Sequence, residues 1–243
     1  MDLELEGHVA VVTGASRGIG LAVTRALVRE GVRVVAGARS TRGLHDIDGV
    51  LAVAVDLAAA DGPASLVQHA VDQHGRLDHL VNSVGGLAGR DGDLLSIPDE
   101  RWQRALDVNF LSAVRASRAA MAHLAERGGS VVNISSINAT SPMPPLADYA
   151  AAKAALTSFS KSLSMEVGRR GVRVNTLSPG PTVTSMWDGA DEAMMRTIAD
   201  QSSLGRFSEP EHVADAVLFL LSARSVSITG SDLVVDAGQL PVT

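Results

Sequence analysis

The chain has 243 residues, a formal net charge of −6, 46% hydrophobic residues and no cysteine. The acidic balance excludes an electrostatic footprint for nucleic acid or an anionic membrane surface, and the missing cysteines exclude disulfides and thiolate metal centres. The length suits one α/β domain over residues 1–243, the segment Met1 to Gly7 is acidic where a secretory signal is basic, and no apolar run reaches membrane length, so the expectation is a cytoplasmic protein that handles small molecules.

Short apolar runs alternate with longer helical patterns, which predicts a parallel sheet with crossover helices. The runs at 9–12, 33–36, 51–55, 80–81, 131–134, 172–177 and 233–235 give seven strands. After the first comes Thr13, Gly14, Ala15, Ser16, Arg17, Gly18, Ile19 and Gly20, which opens a helix marked by Ile19, Ala22, Val23, Ala26 and Leu27 and stopped by Gly31. Backbone N–H groups and the helix dipole at such a turn favour an anion, so the strand–turn–helix context predicts a nucleotide site. The spacing Gly-x-x-x-Gly-x-Gly matches neither the six-residue dinucleotide fingerprint nor the phosphate-loop pattern.

Between Ser40 and Val50 there is room for a turn or two of helix, which leaves that edge of the sheet thinly covered. His69, His74 and His79 are spaced by five, share no helix face and have no accompanying ligand motif, so they are expected to be solvated and not to bind metal. Ser136 lacks the Gly-x-Ser-x-Gly elbow of a hydrolase. The only tyrosine, Tyr149, precedes one of the two lysines, Lys153, by four positions in an alanine-rich helical stretch. That spacing puts both side chains on one face, about 5–6 Å apart at Cβ, where an ammonium would lower the phenol from its usual value of about 10 toward neutrality. An unrelated Tyr and Lys on a solvated face is the alternative that spacing alone leaves open. Residues 166–173 read as a solvated, mixed-charge helix end. Segment 185–206 breaks the rhythm before a helix at 210–222 and reads as a flap, with Met186, Trp187, Met194 and Met195 as apolar cover.

Residues 13–20, Asp56 and Leu57, Asn82 through Gly85, Asn109, Ser135 and Ser136, the Tyr149/Lys153 pair, and Pro179 and Gly180 with Thr184 four residues beyond together resemble the short-chain dehydrogenase/reductase family, in its small single-domain branch, over nearly the whole chain. The resemblance implies an α/β, Rossmann-type doubly wound sheet of seven parallel strands in the order 3-2-1-4-5-6-7, and ketone–alcohol interconversion with a nicotinamide cofactor. Cofactor contacts would come from Gly14, Ser16, Arg17, Gly18, Ile19 and Gly20; from Asp56 and Leu57 at the adenine; from Asn82, Ser83, Val84 and Gly85 at the adenine ribose; and from Pro179, Gly180, Thr182 and Thr184 at the nicotinamide carboxamide. Ser136 would polarise the substrate carbonyl, with Ser135 pointing away. Tyr149 would be the general acid/base, Lys153 would bond the nicotinamide ribose, and Asn109 would relay protons through water.

At the end of the second strand, where an acidic residue selects NAD, stands Ala38, followed by Arg39 and Ser40. With Arg17 in the loop this favours NADP(H) over NAD(H). The segments 99–124 and 147–167 resemble the family's paired interface helices and imply a homotetramer. A small carbonyl or alcohol substrate would meet Gly86, Leu87, residues 139–146, Met186 and Trp187, an apolar set suited to a hydrophobic ketone, and similarity to 3-oxoacyl carrier-protein reductases is considerable. Ser83 and Val84 depart from the usual Asn and Ala, and Asp236-Ala237-Gly238 from the common Asp-Gly-Gly. A non-catalytic cofactor-sensing module and a structural subunit are the competing classes; the retained Ser136, Tyr149 and Lys153 argue against both.

Overall fold

Strands β1 (Val9–Thr13), β2 (Arg33–Ala38), β3 (Val50–Ala54), β4 (His79–Asn82), β5 (Ser130–Ile134), β6 (Arg173–Pro179) and β7 (Asp232–Val235) form one parallel sheet in the order β3-β2-β1-β4-β5-β6-β7. The coordinates are a computed structural model that describes residues 2–87, 89 and 94–240. Every residue of β1, β4 and β5 is buried, as expected where helices cover both faces of a Val-rich parallel sheet. Helices α1 (Gly18–Arg29) and α7 (Pro210–Leu221) cover one face through Val23, Leu27, Val213 and Val217; α2 (Gly62–His74) and α4 (Ser112–Ala125) cover the other through Leu66, Ala70, Ala116 and Leu124. Winding reverses between β1 and β4, which share an edge from Ala10↔His79 to Thr13↔Asn82. A crevice therefore opens at the carboxyl ends of these strands, where open α/β sheets bind ligands.

Several local expectations are corrected. Residues 41–49 form turns and no helix, and buried Leu44 closes the sheet edge in its place. The stretch 99–124 is not one regular helix: α3 (Asp99–Leu106) runs into a π turn (Asp107–Leu111) before α4. His79 is not solvated, because it opens β4 in the core; its Nε2 meets His8 Nδ1 at 2.9 Å and its Nδ1 meets Ser130 Oγ at 2.8 Å. Burial, helped by the nearby His8, pushes His79 down to about 3. Arg173 is no surface charge either: its guanidinium donates to the carbonyls of Leu220, Leu221 and Ser222, the orphan acceptors at the end of α7.

Candidate active site

The glycine loop is backbone built against backbone. Gly14 N and Ala15 N both donate to Gly37 O, at 2.9 and 3.2 Å, and tie the loop to the end of β2. Gly14 has φ +69, and a Cβ on Gly20 would collide with the Gly14 carbonyl, so glycine is required at both places. No side chain caps α1, whose N-cap Arg17 is extended, so the first N–H groups of the helix face the crevice without a protein acceptor from a cap. Thr13 Oγ1 accepts from Ser83 N at 3.0 Å and fixes the next strand end beside the loop.

One cavity of about 1720 Å³ runs from Ala38, Arg39 and Ser40 past Asp56 and Leu57, along Gly14, Ser16, Arg17, Gly18, Ile19 and Gly20 and beside Ser83, Val84 and Gly85, to Ser136, Tyr149 and Lys153 and the turn Pro179, Gly180, Thr182 and Thr184. Of the predicted pocket stretch 139–146 only Met143, Pro145 and Leu146 line it, Met195 does not, and two of the predicted cofactor and catalytic residues do not reach its wall. Asn82 lies beneath it in a buried amide ladder, donating to Asn133 Oδ1 at 2.8 Å and Ser117 Oγ at 3.3 Å. Asn109, in the π turn, donates to Gly86 O at 3.1 Å and Ala105 O at 3.0 Å and accepts from Gly86 N at 3.0 Å. These bonds hold the Gly86 strand-end loop open; π turns of this kind recur at functional sites.

Ser136 and Ser135 diverge as neighbouring extended residues do. Ser135 Oγ bonds Thr157 Oγ1 at 2.9 Å and donates to Lys153 O at 3.2 Å, so its hydroxyl is engaged by α5 although the residue lines the cavity. Ser136 Oγ accepts from Asn138 N at 3.2 Å and Asn138 Nδ2 at 3.4 Å and is bonded to Tyr149. With both lone pairs engaged by Asn138, the hydroxyl hydrogen is the one that reaches Tyr149. Lys153 is 2% exposed; its Nζ donates to Ile134 O at 2.7 Å and lies 5.8 Å from the centre of the Tyr149 ring. A side chain at Gly85 would press on it, because a Cβ there falls 3.3 Å from Lys153 Nζ and from Asn109 Oδ1.

The electrostatics overturn one expectation. Burial pushes the Tyr149 phenol up, with the Ser136 hydrogen bond opposing, and burial brings Lys153 down to about 7. Desolvation decides the direction, and the influence that opposes it comes from Ser136.

Three contributors were not foreseen. Arg101 on α3 bonds Asp148 with Nε at 2.9 Å, and its Nη2 donates to Asp148 Oδ1 at 3.3 Å, Gly89 O at 3.0 Å and Pro145 O at 3.4 Å. Asp148 is 1% exposed and adjoins Tyr149 in the first turn of α5 (Ala147–Val167), so this clamp fixes the tyrosine's helix start. Asn138 buttresses Ser136. The tail after β7 ties down the 185–206 segment: Ser203 N donates to Gly238 O at 3.1 Å and Leu204 N to Ala237 O at 3.0 Å. Within that segment lies α6 (Glu192–Asp200), and Trp187 packs on Phe207 with ring centres 5.0 Å apart. Met186, Trp187, Met194 and Ile198 line the cavity, but so do Gln103, Asn138, Gln201 and Gln239, so the expected apolar pocket is in fact mixed. Among the described residues no group of three His, Cys, Asp or Glu is placed to hold a metal ion, and no helix is long and apolar enough to cross a membrane.

The doubly wound sheet of this order carries a glycine loop at its switch point and Ser, Tyr and Lys at the far end of the same crevice. The family model described as "Enoyl-(Acyl carrier protein) reductase" matches residues 14–239. The 3-oxoacyl-[acyl-carrier-protein] reductase of Vibrio cholerae is 35% identical over 98% of this chain and 99% of its own length, and an uncharacterized oxidoreductase of Methylorubrum extorquens is 38% identical over 93% and 95%. Among solved structures, L-sorbose reductase from Gluconobacter frateurii, complexed with NADPH and L-sorbose, superposes with a TM-score of 0.93 at 33% identity over the full length of both chains. The chain belongs to the short-chain dehydrogenase/reductase family.

Proposed function

We propose that this protein is an NADP(H)-dependent oxidoreductase that interconverts a ketone and a secondary alcohol, with Tyr149 as the general acid/base. The observation that carries the reading is the convergence of Ser136, Tyr149 and Lys153 on one wall of a cavity that begins at Arg39 and passes the uncapped start of α1. The 3-oxoacyl reductase relative and the NADPH-complexed sorbose reductase support it.

The wall residues fit such a cofactor. The N–H groups at the start of α1 would face its pyrophosphate, Asp56 and Leu57 the adenine, Ser83 to Gly85 the adenosine ribose, and Pro179 to Thr184 the carboxamide. Bound there, the nicotinamide supplies or accepts the hydride. Ser136, its lone pairs held by Asn138, turns its one hydrogen from the Tyr149 oxygen to the substrate oxygen when substrate binds. Tyr149 gives its proton to that oxygen in reduction and takes it back in oxidation. Its raised pKa keeps the phenol protonated at neutral pH, which suits the acid role. Lys153, anchored on Ile134 O, has its remaining N–H groups for the ribose and the phenol oxygen. Its ammonium is favoured as the phenol gives up its proton, because opposite charges in a dry site stabilise each other. Asn109 sets this geometry from behind by holding Gly86.

Ala38 puts no carboxylate at the 2′ position, and Arg17 and Arg39 have no carboxylate within ion-pair distance among the described residues. A single domain over 1–243 that assembles as a tetramer through α3–α4 and α5, works in the cytoplasm and closes 185–206 over its substrate completes the proposal. The test is a ketone panel followed by NADPH absorbance, with NADH in parallel. NADPH consumption is expected, and Arg39→Ala weakens NADPH by about 10- to 150-fold, the worth of a charge-assisted bond, with little effect on NADH. Equal losses for both cofactors contradict the assignment.

A further inference from the structure

Two amide oxygens in residues lining the cavity, Asn138 Oδ1 and Gln239 Oε1, are buried and bonded to no protein group. Native chains keep few such atoms, because each costs about 1–3 kcal/mol, and an orphan in a cavity wall is a place for a ligand's polar group. Asn138 is held by its two bonds to Ser136 Oγ, so its free oxygen lies beside the hydroxyl assigned to the carbonyl. Gln239 approaches from the other side. Its N donates to Asp236 O at 3.2 Å, and Asp236 packs so closely on Gly180 that a Cβ there would fall 2.6 Å from Asp236 Cβ. Gln239 Nε2 reaches Gln201 Oε1, just past the end of α6, at 3.4 Å. The two residues thus belong to the substrate end of the cavity, one on the β5 side and one between the nicotinamide turn and the flap, and each oxygen, closed to solvent as it stands, meets a ligand by a turn of its side chain. Rotating either amide exchanges an unpaired oxygen for an unpaired nitrogen, and the need for a polar partner stands.

We propose that the substrate is a ketone bearing hydroxyl groups on the carbons near its carbonyl, a polyhydroxy ketone reduced to the polyol, with Asn138 and Gln239 each bonding one hydroxyl. This rests on the ketone-reductase reading above. A hydroxyl serves either end of an amide, as donor to the oxygen or acceptor from the nitrogen, whereas a bare ketone or an acyl chain leaves both orphans in place. The reduction adds one hydride, from NADPH, to the carbonyl carbon and one proton to its oxygen; the flanking hydroxyls are unchanged.

The test measures kcat/KM with NADPH for matched pairs, hydroxyacetone against acetone and erythrulose against butanone, with an acetoacetyl thioester alongside. The hydroxylated member is expected to lead by about tenfold or more per hydroxyl, from the cost of the orphan it satisfies. For erythrulose against butanone, Asn138→Leu and Gln239→Leu should each shrink that ratio about tenfold. Bare ketones or the thioester matching the hydroxylated ketones, or both variants keeping the full ratio, overturns the proposal. If no ketone consumes NADPH, the reductase reading fails instead. The hydroxyl subsite is then judged by tryptophan emission of the NADPH-loaded Tyr149→Phe protein: saturable change with erythrulose and none with butanone supports it, and equal responses refute it.

Discussion

The glycine-loop half of the cavity and its 185–206 half are built in opposite ways. Around Gly14 to Gly20 the wall is main chain bonded to main chain, with Gly14 and Ala15 on Gly37, and every part of it comes from strand ends that the sheet register fixes. Around Asn138, Gln201 and Gln239 the wall is side chain, drawn from the loop after β5, the flap and the tail, with Met186 and Met194 more than two-fifths exposed. A backbone wall serves any sequence that folds this way, so it recognises what the family shares; a side-chain wall can change residue by residue, so it recognises what is particular to this chain.

The Arg101 clamp stands behind both walls at the start of α5, and breaking it has the largest expected effect on stability. Arg101→Leu strands the buried Asp148 carboxylate, a loss of about 3–5 kcal/mol, and loosens the start of α5 below Tyr149. Arg101→Leu with Asp148→Leu together should recover much of the melting temperature but not the turnover number. Recovery of both would reduce the pair to ordinary packing.

At the amino ends of the strands, far from either half, His79 gives a pH dependence with a definite sign. Its folded pKa of about 3 lies below the unfolded value near 6.5, so its contribution is complete above pH 6.5 and is lost as pH falls, by about 1.4 kcal/mol per unit down to about 3. Denaturant melts between pH 7 and 4 check this, and His79→Gln should flatten the slope by that amount without moving the KM for NADPH. An unchanged slope removes His79 from the account.

The smallest effect belongs to the tail that ties down the flap. Ala237 sits at φ +56, a region that costs a non-glycine residue about 1–2 kcal/mol. Ala237→Gly should relieve most of that, offset in part by the freer unfolded chain, for a net gain of about 0.5–1 kcal/mol in chemical denaturation. A destabilised variant would show that the left-handed turn carries no strain.

The same contrast explains what was legible in the sequence. Strand positions and the glycine loop follow from local pattern, since Val-rich runs and glycine spacing act within a few residues. Asp148 and Arg101 meet across 47 positions, His79 and Ser130 across 51, and Gln239 and Gln201 across 38, and no periodicity reports such pairings. The π turn at Asn109 has no local signature. The direction of the Tyr149 shift also escaped spacing, because it depends on how much water the fold removes, and the completed core decides that.

On the proposed function, Tyr149 transfers the proton in a site whose cofactor half is independent of it. The direct measurement is single-turnover reduction of a responsive ketone by Tyr149→Phe, beside NADPH binding by fluorescence titration. Turnover lowered by about 10²–10⁴-fold or more with NADPH affinity nearly unchanged is expected; turnover at the wild-type rate would overturn the role of Tyr149.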